Sequence, residues 1–343
     1  MRSFLRDGGK VLSVSACRVV SIGLAVSCAI NAHDPARVAA APVAEGAEPA
    51  RDGRRKVIGI EKDVEYGRGG DRALTLNVFT PLEKSTKPRP GLVWFHGGGW
   101  QSGSHRSGGP VQAYVATGDF VGFSVGYRLS GEAKWPAQIE DSKAAIRFIR
   151  ANADRFNVDP DRIGVWGSSA GGHLAALLGV SGAVERLDGK GGTPGVSSRV
   201  ACVVDFCGPA NFLRWYPTRP GVDHPAAVAL FGGPTKDNER AAVDASPITH
   251  VAAGAPPFLI VHGTDDTTVP IQHSEQLAAA LERVGADVTF VRVEGGAHMF
   301  HGAEVDARVA AFLAKHLLGK KTTVSDAPIR VAPEPGRKQA DNG

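Results

Sequence analysis

The chain has 343 residues, 43% of them hydrophobic and 22% charged, enough to bury a sizeable core within one α/β domain. Its formal charge is +4, but residues 1–32 alone hold Arg2, Arg6, Lys10 and Arg18 against Asp7, which is +3 of it. The remainder is close to neutral and lacks the basic footprint that nucleic-acid binding requires.

The basic start leads into residues 19–30 (VVSIGLAVSCAI), a mostly apolar run too short to span a bilayer and followed by small residues. Residues 1–32 therefore read as a secretory signal, and the protein as exported to the periplasm or beyond the cell without stable membrane insertion. Lipoprotein anchoring through Cys28 is the alternative. Residues 33–56, rich in Ala, Pro and Arg, read as a linker, 57–319 as a catalytic domain, and the polar 320–343 as a disordered tail.

Within the domain, residues 63–66 and 74–79 predict two short strands around a Gly-rich turn at 67–71. The apolar run 91–95 (GLVWF) predicts a buried strand, and it stops in HGGGW at 96–100. Three glycines at a strand end let bare backbone N–H groups approach a ligand, where they can stabilise an oxyanion. Gly98 and Gly99, with the N–H of Ala170, are the candidate donors, and Gly97 or Trp100 the substitutes; His96 is expected to brace the loop. Residues 120–127 predict a further strand. Residues 136–156 predict one amphipathic helix, with Ile139, Ile146, Ile149, Ala153 and Phe156 at helical spacing and Asp141 a structural acid.

Residues 163–166 then predict a strand that runs into Gly167-Ser168-Ser169-Ala170-Gly171 and a helix over 173–178. A serine at the centre of a strand–turn–helix elbow is exposed on a strained backbone, which makes Ser169 the nucleophile candidate rather than Ser168. Gly122-Phe123-Ser124-Val125-Gly126 matches the same G-x-S-x-G pattern, but no small-residue helix follows it, so Ser124 reads as a strand residue. Residues 200–206 predict another strand. Cys202 and Cys207 are too far apart along an extended segment for a disulfide and read as small buried residues. No His/Cys/Asp cluster has metal-ligand spacing, and no cofactor is implied.

Residues 209–255 carry Trp215-Tyr216-Pro217 and little regular pattern, and read as a small lid or substrate-binding segment, with a surface excursion as the alternative. A strand at 257–261 ends in HGTDDTTVP (262–270), a helix follows over 272–284, and the last strand, 288–293, ends in GGAH (295–298). A carboxylate past one strand and a histidine past the last can orient and supply a general base. The choices are Asp266, with Asp265 as fallback, and His298, with His301 as competitor. A helix over 305–318 closes the domain. Trp100, Trp215 and Phe300 are candidate substrate-binding aromatics.

The chain order Ser169, Asp266, His298, together with the HGGGW loop, resembles the esterase/lipase branch of the α/β-hydrolase fold. More closely, it resembles exported bacterial carboxylesterases grouped with feruloyl and acetylxylan esterases. The motifs that carry the resemblance are HGGGWQSG at 96–103, YRLS at 127–130, DPDRIGVWGSSAGGHLAALL at 159–178, HGTDDTTVP at 262–270 and GGAH at 295–298. The resemblance implies a mostly parallel eight-stranded sheet with helices on both faces. It also implies serine carboxylesterase chemistry on a small-molecule or carbohydrate ester. Hormone-sensitive-lipase-like relatives carry a helical cap ahead of the first strands, and the segment before Val57 is too short and irregular to build one. An amidase or peptidase of the arylformamidase type, and a non-catalytic binding module, are the alternative functions. Oligomeric state stays open.

Overall fold

The computed structural model describes residues 58–215 and 222–330. The signal, linker and Cys28 readings, Tyr216 and residues 331–343 lie outside the described residues. The chain forms, in order, β1 (Ile58–Gly69), β2 (Arg72–Pro81), β3 (Arg89–Phe95), α1 (Val111–Ala116), β4 (Val121–Val125), α2 (Ala137–Ala151), α3 (Ala153–Phe156), β5 (Val158–Ser168) and α4 (Ala170–Val180). It continues with β6 (Cys202–Phe206), α5 (Pro225–Phe231), α6 (Glu239–Ala245), β7 (Phe258–Gly263), α7 (Gln272–Arg283), β8 (Val288–Glu294), α8 (Ala303–His316) and β9 (Ile329–Arg330).

Among the described residues one sheet holds nine strands, in the order β1-β2-β4-β3-β5-β6-β7-β8-β9. The β1/β2 and β2/β4 pairs are antiparallel and every later pair is parallel. The central parallel strands are apolar on both faces because helices cover both. Along β5, Val165 joins a core with Leu174 of α4 and Ile139 and Ile146 of α2. The next residue, Trp166, joins the opposite core with Val111 of α1 and Val309 and Phe312 of α8. Alternation of side chains along a strand makes this division.

Three differences from the sequence reading have physical causes. The sheet has nine strands rather than eight, and part of the segment expected to be a disordered tail supplies the ninth: Ile329 and Arg330 pair with Val293 and Glu294, and Ile329 is buried against the α8 core. That segment's few apolar residues find the open edge of β8. The helix expected over 136–156 breaks at Asn152, whose amide closes α2 on the Phe148 and Ile149 carbonyls before α3 begins. The 209–255 segment contains α5 and α6, both too short for their periodicity to register. Asp141 takes the expected structural role, accepting from Arg128 Nη2 at 2.7 Å and from the Arg128 amide at 2.9 Å.

Candidate active site

The parallel strands deliver their C-terminal ends to one edge of the sheet, and the site is built there. β5 ends at Ser168, and Ser169 follows with φ 56° and ψ −121°, a conformation costly for any residue with a Cβ. The crossing that enforces it is close. A Cβ on Gly171 would fall on the Phe95 carbonyl, and one on Gly167 on the Gly171 carbonyl, so both glycines flanking Ser169 are required. The Ser169 amide is held by the Phe206 carbonyl at 2.7 Å, and the Ser169 carbonyl by the His173 amide at 2.9 Å, which fixes the hydroxyl outward.

His298 lies beyond β8 and its Nε2 is 2.9 Å from Ser169 Oγ. Its Nδ1 is 2.7 Å from Asp266 Oδ2, in the loop after β7. A carboxylate only accepts, so the proton sits on Nδ1 and Nε2 is left to accept from the serine hydroxyl. Asp266 Oδ1 accepts from the Thr268 and Val269 amides, both at 2.9 Å. Burial alone would raise the Asp266 pKa, but hydrogen bonds from His262, His298 and the Val269 amide outweigh it and hold the carboxyl well below the usual range. The group is therefore ionised at any working pH.

Asp265 is exposed and accepts from Thr264 Oγ1 at 2.9 Å, turned to its neighbour rather than to His298. His301 lines the same cavity as Ser169, but its ring makes no hydrogen bond to Ser169 or Asp266. Ser124 is buried within β4, level with Trp94 of β3, as a strand residue.

The glycine loop sits beside the elbow: a Cβ on Gly97 would come 2.9 Å from the Ser168 carbonyl and 3.4 Å from Ser169 Cβ. Gly98 and Gly99 have φ of 108° and 59°, and the Gly98 carbonyl accepts from the Gln101 and Ser102 amides at 3.0 and 3.1 Å. That turn directs the carbonyl back into the loop. Among the described residues, nothing accepts a hydrogen bond from the amides of Gly98, Gly99 or Ala170, and all three residues line the cavity over Ser169. His96 braces the loop as expected: its Nδ1 is 2.8 Å from the Gly97 carbonyl, its ring stacks on Tyr127 at 4.4 Å, and Tyr127 Oη donates to the His96 carbonyl at 2.8 Å.

The cavity holds about 620 Å³, within the ordinary range for a small-molecule site. Trp100, Trp215 and Phe300 all line it. Trp100 and Trp215 are only 1% and 3% exposed, however, so they form its floor rather than a free platform. Trp94, Trp166 and Phe206 add an aromatic wall, with Trp166 edge-on to Trp94 at 5.7 Å and to Phe206 at 5.4 Å.

Sequence reasoning missed three residues. His262 Nε2 is 3.0 Å from Asp266 Oδ2 and 2.8 Å from the Val269 carbonyl, so it carries a proton and donates to the same oxygen that His298 uses. Its place four residues before Asp266 in HGTDD was the available signal. Cys207, with φ 46°, donates its thiol to the His298 carbonyl at 3.2 Å and supports the backbone of that histidine. His224, from the 209–255 segment, lines the cavity and stacks on Trp215. Nothing in the local sequence marks it, because its partners lie elsewhere in the chain.

Ligand atoms of Cys207, Asp266 and His298 lie within 4.8 Å of one another. Burial and the Asp266 charge push the Cys207 thiol far above its ordinary pKa. The thiolate a metal would need is disfavoured, and the other two groups are engaged in the Ser169 chain. Cys202 and Cys207 are free and buried. Among the described residues no helix is long and apolar enough to cross a membrane.

A mostly parallel sheet with a serine elbow after its central strand, flanked by helices on both faces, defines the α/β-hydrolase fold. The BD-FAE family matches residues 76–281, and the chain belongs to that family. Among solved structures, a truncated carbohydrate esterase from gut microbiota superposes with a TM-score of 0.65 at 31% identity, over 73% of this chain and 91% of that one. An esterase from the planctomycete Thermogutta terrifontis superposes with a TM-score of 0.62 at 27% identity, over 78% and 95%. Esterase LipC of Mycobacterium tuberculosis is 34% identical over 68% of this chain and 58% of its own length. The probable carboxylic ester hydrolase LipM of the same organism is 32% identical over 65% and 52%. The chain thus spans little more than half the length of these two curated relatives.

Proposed function

We propose that the protein is a serine carboxylesterase that cleaves short-chain acyl esters, acetyl or feruloyl groups on polysaccharide among them, through an acyl-enzyme. The observation that carries this reading is the continuous hydrogen-bonded chain from Ser169 Oγ through His298 to Asp266, at 2.9 and 2.7 Å. Ser169 Oγ attacks the ester carbonyl carbon as His298 Nε2 takes its proton, and the resulting imidazolium is stabilised by ionised Asp266. The carbonyl oxygen becomes an oxyanion that accepts from the Gly98, Gly99 and Ala170 amides. When the tetrahedral intermediate collapses, His298 returns the proton to the leaving alcohol. Water, deprotonated by His298, then releases the carboxylic acid and restores Ser169.

The named esterases among the relatives support the same chemistry. Export is part of the proposal and rests on the basic and apolar stretch at 1–32. The first test is hydrolysis of p-nitrophenyl acetate by the protein and by Ser169→Ala, followed by acetate release from acetylated xylan. The variant should lose about 10⁴-fold or more in kcat. Near-normal turnover by Ser169→Ala would sink the proposal, and activity on the small ester alone would confine it to a general esterase.

A further inference from the structure

His224 has no place in the Ser169–His298–Asp266 chain, yet its surroundings are those of a built recognition group. It ends the stretch before α5 and caps that helix: its Nδ1 accepts from the Ala226 amide at 3.1 Å. An acceptor nitrogen carries no proton, so in the neutral ring the hydrogen is on Nε2, the opposite corner of the imidazole. The ring cannot easily turn. It lies flat on the Trp215 indole, centroids 4.0 Å apart and planes within 9°, and Trp215 is itself pinned by its Nε1–H donating to the Thr268 carbonyl at 3.1 Å. Thr268 also gives its amide to Asp266, so the platform under His224 is tied to the acid of the site. Burial, with His298 nearby, lowers the His224 pKa and keeps the ring neutral.

Nε2–H has no hydrogen-bond partner among the described residues. It belongs to a half-buried ring on the wall of the cavity that contains Ser169 and His298. The rest of that wall is mainly aromatic and aliphatic. A fixed donor without a protein acceptor, on a mainly apolar wall, favours a ligand that brings an oxygen to it over one that does not.

We propose that His224 is a specificity-determining residue, whose Nε2–H donates to a hydroxyl or ether oxygen carried by the substrate beyond its ester group. The preferred substrates are then esters of polyols or sugars over esters of plain hydrocarbon alcohols of equal size. The proposal rests on the esterase reading, and the experiment separates the two.

Cyclohexyl acetate and a monoacetylated methyl xyloside present six-membered rings of similar bulk, one without and one with additional oxygens. The quantity read is the ratio of their kcat/KM values, in the wild-type protein, in His224→Phe and in His224→Asn. Phe keeps the stack on Trp215 without a donor, and Asn keeps a capping acceptor for Ala226 but is too short to present a donor at the ring's far corner. Wild-type protein should favour the xyloside, and both variants should lower that preference about 3- to 10-fold, the worth of one neutral hydrogen bond. A purely structural role for His224 would depress both esters together and leave the ratio in place. An unchanged ratio in whichever variant folds, with both esters turned over, overturns the proposal while the esterase reading survives. Failure of the wild-type protein on both esters overturns the esterase reading and the proposal together.

Discussion

Lowering the pH from 8 to 5 should destabilise the fold through two histidines that are buried as neutral rings. His173 is wholly buried on α4, with its Nε2 2.7 Å from the Ala245 carbonyl and its Nδ1 without a partner. His273 on α7 accepts at Nδ1 from both the Ala210 and Asn211 amides at 3.2 Å. Protonation would place a second N–H where no acceptor exists in the first case and against two donors in the second. Burial accordingly pushes the His173 pKa down to about 4 and the His273 pKa to about 3, from an ordinary 6.5.

Between those values and 6.5 the unfolded chain binds more protons than the folded one, so stability rises with pH across the window and falls on acidification. At pH 5 each histidine removes about 2 kcal/mol relative to pH 8. Asp205 opposes them, because burial raises its carboxyl to about 6 and the folded state binds its proton first. It returns about 1 kcal/mol at pH 5, for a net loss of about 3 kcal/mol from the three groups. Urea unfolding at the two pH values reads this directly, and His173→Gln should shrink the pH-dependent loss by about 2 kcal/mol. Equal or greater stability at pH 5, or the same pH dependence in the variant, would refute the argument.

Asp266→Asn should cost about 10⁴-fold in kcat, because an amide in place of the carboxylate no longer fixes the His298 tautomer, whereas Asp265→Asn should stay within about threefold in the same esterase assay. Gly98→Ala places a Cβ 2.8 Å from the Ser102 carbonyl carbon at φ 108°, and the distorted loop should lose about 10²- to 10³-fold in kcat with little change in KM. Arg128→Ala should lower unfolding free energy by about 3–5 kcal/mol, measured by denaturant titration, because Asp141 would be left buried without its cation.

Much of the site was legible because its parts are local. The elbow around Ser169 is written in five consecutive residues, since only glycines can flank a crossing this close. The HGGGW loop is legible for the same reason, and so is each strand that ends in a catalytic candidate. Asp265 and Asp266 stand in one loop and are alike in sequence, and only the hydrogen bonds from the Thr268 and Val269 amides turn Asp266 inward.

What escaped the sequence depends on contacts across long separations. His262 became a second donor to Asp266 only through the fold of the loop that follows it. Cys207 looked like an ordinary small core residue and sits under the His298 backbone, 91 positions away. The ninth strand is two residues whose pairing depends on the free edge of β8.

Residue type and spacing point to the chemistry-bearing groups and the order in which the sheet presents them, because elbows, glycine turns and buried strands are short-range consequences of residue type. Which atoms meet depends on the packed fold. Hydrogen bonds demand positions good to a few tenths of an ångström, and those are set by how the neighbouring strands β5 to β8 pack in the sheet. The same packing placed His224 over Trp215 on the wall of the cavity, a relation that no stretch of the chain encodes alone.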